Sequence, residues 1–154
     1  MSLHIPQGPQ RIVCLTEETT EWLYLLGQES RIVGISGYTV RPRRAREEKP
    51  RVSAFLSAKI DKILALEPDC VFGFSDLQAD IASALIRQGV QVTVFNQRSV
   101  EEILAMLYQV AAMVGQAPQG LPFSGQGVLI EGLLGGFDFL EAFDDGQGVG
   151  SGFT

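Results

Sequence analysis

The chain predicts a three-layer α/β domain: a parallel sheet with helices on both faces. Three observations carry that expectation. The run Ile60–Phe74, IDKILALEPDCVFGF, places Ile60, Ile63, Leu64 and Leu66 at helical spacing, stops at Pro68-Asp69, and resumes as a buried apolar strand. Helix, stop, buried strand is the second half of a parallel crossover unit. Strand and helix patterns alternate four times along the chain with short joints. The strand at Cys70–Phe74 is a continuous apolar run, as a strand covered on both faces requires.

The elements follow in order. Arg11–Leu15 (RIVCL) reads as the first strand. Thr16 or Thr19 caps a helix to Leu26, with Trp22, Leu23, Leu25 and Leu26 as its apolar residues and Gly27 as its stop. Arg31–Ile35 (RIVGI) is a second strand, and Tyr38–Pro50 reads as a charged loop. Val52–Ala54 is a short extended piece before the helix that opens the Ile60 run. Cys70–Phe74 is the third strand, followed by a helix from Ser75 or Asp76 through Ile81, Leu85 and Ile86 to Gly89. Val90–Phe95 alternates as a strand. Ser99-Val100-Glu101-Glu102 is a capping box that starts a helix running to Gly115. Crossovers between parallel strands are right-handed. Ligands of such sheets collect at the carboxyl ends of the strands, here the loops after Leu15, Ile35, Phe74 and Phe95.

Composition narrows the function classes. The 154 residues are 45% hydrophobic and 19% charged, ordinary values for one globular domain. All 12 Lys and Arg lie between Arg11 and Arg98, whereas Glu131, Asp138, Glu141, Asp144 and Asp145 are the only charges after Glu102. The body is near neutral, which gives nucleic acid nothing to bind. No apolar run reaches the roughly 18–20 residues of a membrane span, so no membrane insertion is expected. Residues 1–10 read as a flexible leader without a basic start or apolar core, hence no secretory signal: cytoplasmic as synthesised, with an exported protein whose signal has been replaced as the open alternative. The single histidine, His4, sits in that leader, which leaves no triad or histidine-based metal site. Cys14 and Cys70 fall in strands and read as small core residues. From Gln119 to Thr154 there is no Lys or Arg and ten of the 17 glycines, an irregular tail that reads as a truncated or out-of-frame region.

Several residues stand where chemistry could occur, each with a plainer alternative. Glu17 and Glu18 at the first strand end suit a general acid/base pair or a ligand contact, but acids in a first helical turn are also explained by the helix dipole. The same carboxylates, in place of glycines, disfavour phosphate at that joint. Tyr38 and Phe55 are aromatics beside strand ends, either ligand contacts or lids on the core. Asp76, Gln78 and Asp80 offer hydrogen bonds to a ligand, while capping of the next helix explains part of the pattern. The Arg41–Arg51 cluster, mixed with Glu47 and Glu48, reads as a solvated loop.

The phrases RIVCLTEETTEWLYLLG, RIVGISGYT, RVSAF, IDKILALEPDCVFGF and SVEEI, in that order, carry a family likeness. The body from Arg11 to about Gly115 resembles the amino-terminal lobe of cobalamin and ferric-siderophore substrate-binding proteins of ABC importers, with SGYT and RVSAF leaning toward cobalamin. The resemblance implies a Rossmann-like lobe over residues 11–118 and a corrinoid, siderophore or haem as transported ligand rather than cofactor. It also implies an ABC permease as partner, no catalysis, and a periplasmic site of action. It places Tyr38 and Phe55 on the wall of the corrin cleft and makes Asp61 the acid that docks against permease arginines. Glu17 and Asp76 are candidate polar contacts for that ligand by their position at the strand ends, not by the resemblance. Such proteins continue into a linking helix and a second lobe, which is expected to be missing from this sequence. Two other readings stay open at this level: an α/β enzyme domain using Glu17, Glu18 and Asp76, or an interaction domain that has lost its ligand.

Overall fold

The computed structural model describes residues 8–54 and 57–116, and within them the α/β expectation is realised. Six strands form one sheet: β1 (Ile12–Cys14), β2 (Ile32–Ser36), β3 (Arg51–Ala54), β4 (Ser57–Ala58), β5 (Cys70–Phe74) and β6 (Val92–Phe95). Their spatial order is β4-β3-β2-β1-β5-β6. Five strands are parallel, and only the two-residue β4 runs antiparallel, folded back on β3. The helices are α1 (Glu17–Leu25), α2 (Arg43–Glu48), α3 (Ile60–Ala65), α4 (Ala79–Arg87) and α5 (Val100–Met113).

The strands run apolar on both faces because helices cover both. One face carries Val13, Leu15, Val52 and Val71, which pack with Ile63 of α3 and Ile81 and Leu85 of α4. The opposite face holds the rings of Phe72 and Phe95, 5.7 Å apart. There α1 and α5 lie side by side. Trp22 of α1 is buried and donates its Nε1–H to the Leu107 carbonyl of α5 at 2.7 Å, so its one polar atom has a partner. Cys14 and Cys70 are free and buried. Burial pushes their thiols up, to about 12 and about 11, against the opposing hydrogen bonds from Thr19 and Thr20 to Cys14 and from Thr93 to Cys70. Neither supplies a thiolate at neutral pH.

Sheet and helices also meet at one close approach. The pairing of β1 with β2 shifts between Ile12 and Val13, so Val33 is an extra residue in β2 and Gly34 faces Val13. A Cβ at Gly34 would stand 2.8 Å from Leu66 Cδ1, and this is why the middle of β2 meets the end of α3 through a glycine.

At the amino ends of the strands, polar clamps close the lobe. The Asp69 carboxylate accepts the backbone N–H groups of Gln10 and Arg11 at 2.8 and 2.9 Å. Arg11 in turn donates to the Leu66 and Glu67 carbonyls, and Arg31 donates to the Pro9 and Val114 carbonyls. The Pro68-Asp69 stop is thus also the tie between β1 and the end of α3.

Three sequence expectations need correction. Tyr38–Pro50 is not wholly loop but holds the helix α2, whose single apolar residue Ala45 is buried. Charge drives it: Arg43–Glu47 and Arg44–Glu48 pair one helical turn apart. Residues 51–54 are not a stray extended piece but a full parallel strand of the sheet. The segment after β5 starts with a 3-10 turn, Asp76–Gln78, and only then becomes α4. The predicted helix stops at Gly27 and Gly89 are both in the left-handed region, φ 68° and 84°. The capping box at Ser99 is present with one change. The Ser99 hydroxyl accepts Glu102 N–H at 3.2 Å, but the Glu102 carboxylate reaches back to Arg98 N–H, one residue earlier than the usual cap. The tail Gln119–Thr154 and His4 lie outside the described residues.

Candidate functional site at the carboxyl ends of the strands

The chain winds from β1 outward to β2 and β3, then returns to place β5 on the other side of β1. The strand order therefore reverses between β1 and β5. At such a reversal the loops leaving the two strands turn away from each other, and a crevice opens at their carboxyl ends.

The floor of the crevice is built by Gln78. The β1–β5 ladder continues as far as Leu15 N–H on the Phe72 carbonyl, 2.9 Å, and then the strands splay. The Gln78 side-chain amide fills the gap as a peptide unit would. Its Oε1 accepts Phe74 N–H at 2.8 Å, and its Nε2 donates to the Leu15 carbonyl at 3.3 Å. Gly73 makes room for this, since a Cβ there would stand 3.2 Å from Gln78 Oε1. Gln78 is buried, so the sequence expectation of a ligand-facing amide is corrected: it is a structural bridge.

Ser75 sits at the lip in a strained conformation, φ 59° and ψ 173°, a region nearly reserved for glycine. Such a conformation costs on the order of 1–3 kcal/mol. It is held by Ser75 N–H on the Phe95 carbonyl at 2.7 Å and by the Ser75 hydroxyl accepting Leu77 N–H at 3.2 Å. Leu77, whose N–H this hydroxyl holds, is exposed.

The remaining candidates distribute around this crevice. Glu17 is half-buried at the start of α1, and its Oε2 accepts Val40 N–H at 3.0 Å. It thereby ties the loop after β2 to the end of β1. Asp76 is exposed on the other lip, with Oδ1 3.5 Å from Arg98 Nη2. Arg98 also bonds Asn96 Oδ1 at 3.0 Å, so the loops after β5 and β6 are linked. Tyr38, after β2, is 65% exposed, alongside Val40 at 56%, while Leu77 after β5 is 60% exposed. Three large apolar side chains thus stand in solvent at the carboxyl end of the sheet, two on the loop after β2 and one on the loop after β5. Tyr38 is an exposed side chain and not a lid on the core. Val40 and Leu77 were not legible as site residues, because nothing in their spacing distinguishes them from core positions.

Asp61 is exposed in the first turn of α3. That turn begins beside β3, where Lys59 N–H donates to the Val52 carbonyl at 3.3 Å. Phe55, between β3 and β4, lies outside the described residues. Among the described residues, no three His, Cys, Asp or Glu side chains converge to hold a metal ion, and no helix is long and apolar enough to cross a membrane.

Comparison with known proteins bears on what this face is for. The vitamin B12-binding proteins of Yersinia pestis and Yersinia pseudotuberculosis are 29% identical over 68 residues, 44% of this chain and 24% of theirs. A periplasmic heme binding protein from Pseudomonas aeruginosa superposes with a TM-score of 0.65 at 26% identity, over 71% of this chain and 39% of that one. The periplasmic vitamin B12 binding protein of Vibrio cholerae gives a TM-score of 0.62 over 91% of this chain and 50% of that one, a likeness of fold at 23% identity. The match thus spans about a quarter of the curated relatives' length and half or less of these two structures. A family model described as "Periplasmic binding protein" covers residues 12–122, the whole sheet and all five helices described above, and the chain belongs to that family.

Proposed function

We propose that this lobe captures a cobalamin or a related metal chelate, a haem or ferric siderophore, on its carboxyl-end face and serves an ABC importer. The observation that carries the reading is the apolar rim. Tyr38, Val40 and Leu77 stand in solvent around a crevice whose floor is already hydrogen-bonded, a surface that pays to be covered by a flat apolar ligand. The ligand named for the curated relatives supports the corrinoid, and the resemblance adds Phe55 to the same wall. Residues 11–118 are assigned to the lobe, and a second lobe would supply the facing wall. One wall alone covers about half of such a ligand, and affinity falls by orders of magnitude.

Binding fits this face better than catalysis. The Glu17 carboxylate accepts Val40 N–H through Oε2, which gives it a role as a brace for the rim. Asp76 retains an exposed carboxylate for polar contact with ligand substituents.

The experiment is a titration with cyanocobalamin, haemin and a ferric siderophore, comparing this chain with a two-lobed version. Tyr38→Ala or Phe55→Ala in the two-lobed form is expected to weaken binding by about 1–3 kcal/mol with unfolding unchanged. Unchanged affinity in both would remove these aromatics from the wall, and no binding by either form would favour an interaction domain without ligand.

Asp61 is proposed as the docking acid for a permease arginine. Asp61→Asn is expected to cost well under about 1 kcal/mol of folding stability, while weakening a salt-sensitive association with permease and sparing ligand affinity. Equal association of both forms across a salt series would take Asp61 out of that role.

A further inference from the structure

Among the described residues, β6 ends the sheet. Its backbone phase is fixed by two bonds, Val71 N–H to the Gln91 carbonyl at 2.9 Å and Ser75 N–H to the Phe95 carbonyl at 2.7 Å. Gln91, Thr93 and Phe95 therefore face β5, while Val92, Val94 and Asn96 turn their N–H and C=O groups outward. Edges of this kind are usually blunted by charge, proline or a bulge. The strand Val-Thr-Val-Phe has none of these.

Grooves border the edge on both faces of the sheet. On the α4 side a cleft of about 510 Å³ is lined by Ala79, Ala82, Ser83, Ile86 and Val94. Small residues on α4 make its depth, and Ile86 and Val94 are 58% and 41% exposed. On the α5 side a smaller one of about 260 Å³ is lined by Val94, Gln97, Ala105 and Met106. A strand laid along β6 would send alternate side chains into the two grooves.

We propose that the occupant is β6 of a second copy of this chain, paired antiparallel about a twofold axis at Val94. Charge selects the copy over other strands. Asp76 and Arg87 line opposite ends of the α4-side cleft: Asp76 opens the 3-10 turn before α4, at the carboxyl end of the sheet, with Arg98 3.5 Å away on its other side, and Arg87 ends α4 at the amino end. Antiparallel pairing brings Asp76 of each copy to Arg87 of the other, at both ends at once, as an isologous interface requires. Val94 then meets its own equivalent at the centre, and Val92 meets Asn96. Among the described residues the joined sheet has 12 strands, with the two carboxyl-end faces directed oppositely; of the residues assigned to the ligand, Asp76 alone is shared with this seam.

Sedimentation of the full chain over a concentration series tests this. A monomer–dimer equilibrium is expected, lost in Val94→Pro, whose missing N–H is one that points away from β5 and so leaves the existing ladder whole. Val94→Lys reads the same interface should the proline variant fail to fold. Arg87→Asp is expected to weaken the dimer about tenfold or more, and Asp76→Arg added to it to recover most of that loss. A chain that stays monomeric, or a dimer undiminished in folded Val94→Pro or Val94→Lys, overturns the proposal. So does slow exchange of the Val92 and Val94 amides in dilute monomer, which would mean that another part of the same chain covers the edge.

Discussion

Gln78→Ala is expected to lower unfolding stability by about 2–4 kcal/mol, because Phe74 N–H and the Leu15 carbonyl are both left without their partner in a buried place. For a domain of this size the melting temperature falls on the order of 10 °C. Gln78→Glu is expected to be as damaging, since a carboxylate accepts from Phe74 N–H but presents no donor to Leu15. Urea unfolding with and without ligand measures both. A loss below about 0.5 kcal/mol, the range of ordinary surface changes, would show that the strands do not depend on the bridge. It would also return Gln78 to the ligand.

Trp22→Ala is expected to have a still larger effect, about 3–5 kcal/mol, from the loss of a buried indole between two helices. Trp22→Phe separates volume from polarity. The Leu107 carbonyl keeps the helical N–H of Ala111 when the indole donor is gone, so the cost of the phenylalanine is expected at about 1–2 kcal/mol. Denaturant unfolding of the two variants reads the difference. Equal destabilisation would mean that the hydrogen bond, and not the packed ring, holds α1 to α5.

How much of this was legible in the sequence follows from what each feature depends on. β1, β2 and β5 could be read because parallel strands covered on both faces are continuous apolar runs, β6 because it alternates, and glycines mark the ends of α1 and α4 through backbone geometry alone. The α2 helix was hidden because it has one buried residue and otherwise stands on ion pairs, which leave no apolar period. β3 was only half visible, since four residues carry little pattern. The site divides in the same way. Glu17, Tyr38 and Asp76 could be placed beyond the strand ends because loops there can be located from the strands. Their roles could not be. Whether Glu17 faces ligand or braces Val40, and whether Gln78 is offered or buried, depends on where β1 and β5 part company. That is a property of the assembled sheet.

The pairing of α1 with α5 has a consequence for how the chain is made. Trp22 and Leu107 are 85 residues apart, yet both are buried and the indole N–H is held by the Leu107 carbonyl. During synthesis at about 5–20 residues per second, the indole waits roughly 4–17 s before its partner exists. Through that interval β1 can pair with β2, but its α1 side has only half of its cover. The nascent chain therefore carries an exposed apolar face until its last described helix emerges, and the closing step joins the first helix to the last. Contacts of such long sequence separation also place the lobe among the slower single-domain folders, because the loop must close before burial rewards it.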